Sequence, residues 1–163
     1  MSSASCILGV DIGRTGAVAR LTAEGDLLDV ADLPTLNDGP KGRPAVNAAL
    51  LAPIVRAWAP TCAFVELVNA RPGEAPSGAF AFGRCRGLIE GVLAAQCIPV
   101  TFLTPPAWKK TIGIPPGRDM KDAARSEAIR RWPAQADLFA RVMDDGRAEA
   151  VLIGLAGILR GRR

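Results

Sequence analysis

The chain has 163 residues, 49% of them apolar, with 20 basic against 16 acidic side chains for a net charge of +4. That length predicts one domain, residues 1–163, large enough to bury a full core without disulfide or metal staples. There is no histidine, which excludes Ser-His-Asp and Cys-His catalysis and imidazole-dependent zinc sites, so any chemistry must come from carboxylates, lysines or a hard metal held by oxygen. No basic stretch precedes the first apolar run, and the longest apolar tract, near Val151 to Leu159, is far shorter than the roughly 20 residues a bilayer span requires. The expectation is a soluble, cytoplasmic protein without membrane contact. Cys6, Cys62, Cys85 and Cys97 form no CxxC pair and read as small buried apolar residues.

The stretch ILGVDIGRTGAV, Ile7 to Val18, organises the reading. Ile7, Leu8, Gly9 and Val10 lead to a single carboxylate, Asp11, and then to a turn from Gly13 to Gly16. A lone acid at the end of a buried strand is costly unless a cation or hydrogen-bond donors meet it; equally, Asp11 can cap the turn through its own backbone. Ala17 to Thr22 and Asp26 to Leu33 alternate as two further strands joined at Glu24-Gly25, which predicts an antiparallel meander. Pro34 to Gly42 reads as a loop. Pro44 to Trp58 carries apolar residues at helical spacing (Val46, Leu50, Leu51, Ile54, Val55, Trp58) behind a proline, and predicts an amphipathic helix kinked at Pro53.

Cys62 to Val68, CAFVELV, is a continuous apolar run with Glu66 embedded in it, the pattern of a strand covered on both faces. Asn69 to Gly78 is a polar loop containing Arg71 and Glu74. A long helix follows from Ser77, as N-cap, to Gln96. Ile98 to Leu103 is a short strand, Pro105 to Ile112 a helical turn, Pro115 to Asp119 a loop, and Lys121 to Trp132 and Asp145 to Arg160 are the closing helices. Three strands paired antiparallel, then strands separated by helices, predict an α/β fold: a five-stranded mixed sheet with helices on both faces. In the long helix Ala79, Gly83, Gly87, Gly91 and Ala95 recur every four residues. Each interior glycine costs about 1 kcal/mol relative to alanine, so this strip should admit another backbone, either a helix of the same domain or a two-fold partner.

Asp11 and Glu66 are thus acids in two strands expected to be central. The last helix opens Asp144-Asp145-Gly146-Arg147-Ala148-Glu149, and residues four apart lie about 40° apart around a helix axis, so Asp145 and Glu149 share one face. Asp144 or Asp145 can serve as an N-cap, yet like charges at this spacing repel, and a pair at the border of an apolar stripe is better explained by a cation between them. Three or four carboxylates without histidine suit magnesium or manganese, and two such ions can hold a phosphate. From Lys109 to Arg131 there are seven basic residues against three acidic ones, which points to a phosphodiester substrate and hence nucleic acid. Trp108 and Trp132 beside this segment can stack on bases or belong to the core.

The strands GVDIG and FVELV and the helix DDGRAEAVLIGL resemble, in order and context, the acidic motifs of the RuvC-like Holliday junction resolvases of the RNase H superfamily. SGAFAFGRCRGLIEGVLAA resembles the helix after the second acid, and TFLTPPAWKKTIG followed by Asp119-Met120-Lys121 resembles the segment that bears functional lysines. The resemblance implies an RNase H-like fold, a homodimer, and a magnesium-dependent endonuclease that resolves four-way or other branched DNA, leaving 5′-phosphate and 3′-hydroxyl ends. It implies two metal ions per site, with manganese able to substitute, bound by Asp11, Glu66, Asp145 and Glu149, and Lys109 and Lys121 as the lysines near the scissile phosphate. DNA contacts would come from Lys109, Lys110, Arg118, Lys121, Arg125, Arg71 and Arg14. Two departures are visible: Ile12 stands where the bacterial form has proline, and an acid pair precedes Glu149, so Asp144 stays a possible ligand. These variants look more like the phage-type branch. Two alternatives remain open, a general RNase H-like nuclease and a non-catalytic branched-DNA-binding protein. DIGRTG also resembles the phosphate turn of sugar kinases and actin-like ATPases, but those proteins need two such domains.

Overall fold

The structure is a computed structural model describing residues 5–70, 72–115 and 121–162. The strands β1 (Cys6–Asp11), β2 (Ala17–Thr22) and β3 (Leu27–Asp32) form the expected antiparallel meander. Two short strands, β4 (Thr35–Leu36) and β5 (Ala45–Val46), pair as a separate antiparallel ribbon. The strand β6 (Cys62–Glu66) then lies parallel to β1, and β7 (Val100–Leu103) parallel to β6. The main sheet is therefore five-stranded and mixed, in the order β3-β2-β1-β6-β7.

The helices are α1 (Ala48–Trp58), α2 (Pro76–Ala95), α3 (Pro105–Ile112), α4 (Lys121–Arg131) and α5 (Asp145–Gly161). Short 3-10 segments at Pro133–Phe139 and Val142–Asp144 connect α4 to α5. Two helix starts differ from the sequence expectation, and the expected loop Pro34 to Gly42 contains the strand β4. α1 starts at Ala48 rather than Pro44, because Ala45 and Val46 are taken up by the ribbon and Asn47 caps the helix, its Oδ1 accepting from the Leu50 N–H at 3.1 Å. The helix runs on through Pro53, which lies on its exposed side. α2 begins at Pro76, whose fixed φ suits a first helical turn; Ala75 holds the cap position without a side-chain bond, and Ser77 lies inside the helix rather than capping it.

The sheet is covered on both faces. Leu8, Val10, Val18, Ala63 and Val65 point toward α1 and α2, while Ala17, Ala19 and Leu21 point toward α3, α4 and α5. This is the period-two alternation of strands buried on both sides. Trp132 belongs to the core, its Nε1 donating to the Gly25 carbonyl at 3.2 Å. Among the described residues no helix is long and apolar enough to cross a membrane.

α5 crosses the middle of the sheet at unusually short range. A Cβ on Gly9 would stand 2.2 Å from the Ala150 carbonyl oxygen and 2.7 Å from the Gly154 nitrogen, and one on Gly157 would stand 2.1 Å from the Phe64 ring. At Gly9 helix backbone and strand backbone touch with no room for a side chain between them, and at Gly157 the Phe64 ring lies against the helix backbone. The glycine strip of α2 behaves in the opposite way. Gly83, Gly87 and Gly91 face open space, where an added Cβ would meet nothing within 4 Å, so among the described residues this strip packs against no other helix.

Gly9→Ala should therefore destabilise the protein by about 1–3 kcal/mol or more, whereas Gly91→Ala, where an added Cβ meets nothing of the same chain within 4 Å, should leave the monomer's stability unchanged or raise it by up to about 1 kcal/mol. Urea unfolding of the two variants checks this. Equal effects would contradict the contrast between the two glycine sets.

Candidate active site

The site lies where β1 and β6 end side by side. Val10 is in register with Val65 across the parallel pair, so the next residues, Asp11 and Glu66, emerge together at the same edge of the sheet. Both carboxylates are 8% exposed. The turn after Asp11 is tight: the Gly16 N–H donates to the Gly13 carbonyl at 3.1 Å, and a Cβ on Gly16 would meet the Asp11 carbonyl oxygen at 2.2 Å. Cys85 of α2 lines the same groove as Gly13 of this turn, and burial pushes its thiol up.

α5 supplies the other two acids. Its second residue, Gly146, is pressed onto the turn so closely that a Cβ would stand 2.1 Å from the Thr15 carbonyl oxygen and 3.2 Å from the Asp11 carboxylate. This closeness brings Asp145, and Glu149 one helical turn later, to the same cleft as Asp11. Asp11, Glu66, Asp145 and Glu149, with Thr15, Lys109 and Phe82, line a single cleft of about 320 Å³.

The cleft is electrostatically loaded. Burial first, and then the charges of Glu149, Glu66 and Asp145, push the Asp11 carboxyl well above the usual carboxylate range, and Lys109 partly offsets them. Glu66 accepts from the Trp108 Nε1 at 2.9 Å. Trp108 is wholly buried, so this indole is a core residue that fixes an acid rather than a surface for bases. Lys109 stands 3.9 Å from Glu149 and 5.1 Å above the Trp108 ring. Among the described residues no three acids close into a ready metal-ligating group; Glu66 is held to Trp108, and Glu149 stands beside Lys109. The donor set is nonetheless all carboxylate, which is the chemistry that hard divalent cations accept.

Asp144, the alternative ligand, is placed elsewhere. It is 1% exposed, accepts from the Arg141 backbone N–H at 2.9 Å and from the Arg141 guanidinium at 2.7 Å, and is not among the residues of the cleft. The Arg141 guanidinium holds its carboxyl below the usual range. Arg147 reaches Asp32 at the end of β3 with bonds of 2.6 and 2.7 Å. The first acid of the pair anchors the start of α5, and the second is presented to the cleft.

The basic residues divide similarly. Lys109 is at the cleft, whereas Lys110, its neighbour in α3, is exposed outside it. Arg125 is folded back onto its own region, pairing with Asp122 and donating to the Ala140 carbonyl at 3.2 Å. Arg14 is exposed on the turn and borders a second, larger groove. Arg71 and Arg118 lie outside the described residues, as does the side chain of Lys121, the first residue of α4. Nothing local in the sequence marks Thr15 or Phe82 as part of the site, or Trp108 as the partner of Glu66; for Gly146 the Asp-Gly step at 145–146 is the one available signal.

Because the folded state raises the Asp11 pKa, the acid's contribution is most favourable below its unfolded value and is lost as pH rises through the folded one. Asp11→Asn should therefore raise the melting temperature at pH 7–8 in chelator, by roughly 2–4 °C per kcal/mol for a chain of this size. That advantage should vanish in acid. An unchanged or lower melting temperature at neutral pH would contradict the placement of Asp11 among three like charges.

No protein-family model and no curated protein sequence matches the chain. Solved structures do match. RuvC of Thermus thermophilus in complex with a Holliday junction substrate superposes with a TM-score of 0.65 at 17% identity, covering 96% of this chain and 95% of that one. A further Thermus thermophilus RuvC structure gives 0.64 at 16% identity with the same coverage. At such identities the likeness is one of architecture, and what it establishes is that this chain has the RuvC-like, RNase H-type α/β fold.

Proposed function

We propose that the protein is a structure-selective endodeoxyribonuclease that cuts four-way or related branched DNA by metal-assisted phosphodiester hydrolysis. The observation that carries this reading is the convergence of Asp11, Glu66, Asp145 and Glu149 on one cleft, with Lys109 beside them. Four acids gathered from two strands and a helix raise one another's cost, and a fold tolerates such a cluster most readily where it has a use. The RuvC whose fold it shares was solved on a Holliday junction.

Magnesium, or manganese in its place, would be held by these four carboxylates as two ions, and when bound would supply an activated water and a counter-charge for the leaving oxygen. The chain's own groups do the rest. Trp108 holds Glu66 in a fixed orientation through its indole N–H. Lys109 is close enough to Glu149 to be kept at the cleft, where its ammonium would offset charge growing on the phosphate. Gly146 keeps the turn and α5 close enough for Asp145 to serve the same centre as Asp11.

A four-way junction needs two symmetric cuts, and the exposed small-residue strip of α2 supports a two-fold dimer in which the strips of two copies meet. A second reading, a non-catalytic branched-DNA-binding protein, draws on the partners the acids already have, Trp108 donating to Glu66 and Lys109 standing beside Glu149.

Incubated with a synthetic four-way junction and magnesium, the protein should cut it in preference to linear duplex or RNA–DNA hybrid. Asp11→Asn and Glu149→Gln should each lower the rate by about a hundredfold or more while still binding the junction. Wild-type-like cutting by either folded variant would sink the nuclease assignment, and binding without cleavage even in manganese would select the second reading. Sedimentation velocity addresses the strip: Gly87→Leu should convert a dimer to a monomer, and a dimer that persists would place the subunit contact elsewhere.

A further inference from the structure

A groove of about 1100 Å³ lies next to the acidic cleft, walled by the β1–β2 turn, the β4–β5 ribbon and the first half of α2. Phe82 lines both cavities, so the two adjoin. Three separate elements deliver cations to this groove: Arg14 from the turn, Lys41 and Arg43 from the ribbon, and Arg84 from α2. Against these four stand two acids, Asp38 and Glu74. Arg84 and Asp38 face one another at 4.0 Å with both side chains partly exposed, a geometry worth little.

The ribbon is shaped to carry its charges. Lys41 and Gly42 adopt left-handed φ values of 57° and 68°, and the Gly39 N–H donates to the Arg43 carbonyl at 3.0 Å. The segment joining β4 to β5 therefore turns back tightly and sets Lys41 and Arg43 on the groove side. On the opposite wall Phe80 is 71% exposed, a large apolar ring left in water. Cations spaced along a channel with an accessible aromatic face are the elements of single-strand recognition, phosphates meeting the charges and bases stacking on the ring. A duplex keeps its bases paired and offers that ring nothing, and a concave wall does not suit a bilayer surface.

We infer that this groove binds a single-stranded segment of DNA, with Phe80 stacking on a base and Lys41, Arg43 and Arg84 meeting phosphates. That the strand continues toward a scissile phosphate rests on the nuclease reading of the cleft; binding in the groove does not.

The test uses the full chain in chelator and a fluorescein-labelled oligodeoxythymidine of about twelve nucleotides, within the site sizes of such grooves. The Lys41→Ala/Arg43→Ala variant should weaken binding and flatten the plot of log affinity against log salt by roughly 0.7 for each phosphate that is no longer neutralised. Phe80→Ala should weaken binding about fivefold or more, and Phe80→Trp should restore it with quenching of the new indole by the bound strand. Unchanged affinity and salt slope in these folded variants would overturn the inference. So would conversion of a dimer to a monomer with oligonucleotide affinity intact, which would make the groove a subunit contact. If the wild type cuts no junction while the variants still lose the oligonucleotide, the groove stands and the nuclease reading fails.

Discussion

The structure depends on one contact: the backbone of α5 lies directly on β1 and its following turn. Gly9 and Gly154 remove the side chains that would separate helix from strand, and Gly146 does the same against Thr15. Strand–helix packing ordinarily keeps side chains between the layers, and protein interiors have little slack to absorb an added methyl group. Here the layers come to backbone contact at the glycines, and the start of α5 is pressed onto the edge of the sheet where Asp11 and Glu66 end. The acidic cleft is a consequence of that closure.

The closeness carries an electrostatic cost. Asp11 is buried beside Glu66, Glu149 and Asp145, and its carboxyl is pushed up accordingly. The surrounding groups limit the cost without removing it: Trp108 donates to Glu66, Lys109 sits near Glu149, and Arg141 and Arg147 compensate the acids flanking the helix start. The division of labour between Asp144 and Asp145 follows from the same geometry. One acid, enclosed by Arg141, fixes where the helix begins; the next projects into the cleft. A negative cleft then lies beside a cationic groove, and a polyanion can be drawn to the second while a cation is drawn to the first.

Much of this is legible in the chain. Period-two alternation locates the meander, the continuous apolar run CAFVE marks a doubly covered strand, and Asp11 and Glu66 stand out because acids inside such runs are rare. The four-residue spacing of Asp145 and Glu149 places them on one helical face. Less legible are features that arise from pairing across distance. Ala45 and Val46 look helical in periodicity but are captured by Thr35 and Leu36, and no local signal announces a two-residue ribbon. Arg125 reads as a surface cation, yet it is folded against Ala140.

What the sequence determined by itself was the set of elements and the candidate groups: strands where apolar residues alternate or run together, helices where they recur with helical period, and, with no histidine, carboxylates and lysines as the side chains to look for at a site. Those properties are local, because they depend on residue type and spacing along one segment. Only the tertiary structure decided which acids meet, that Trp108 serves Glu66, that Asp144 faces Arg141, and that the glycine strip of α2 is turned outward while Gly146, Gly154 and Gly157 of α5 are turned in. Both glycine sets look alike as residues. They differ because one lies over the centre of the sheet and the other faces open space, and only the assembled fold sets the two positions.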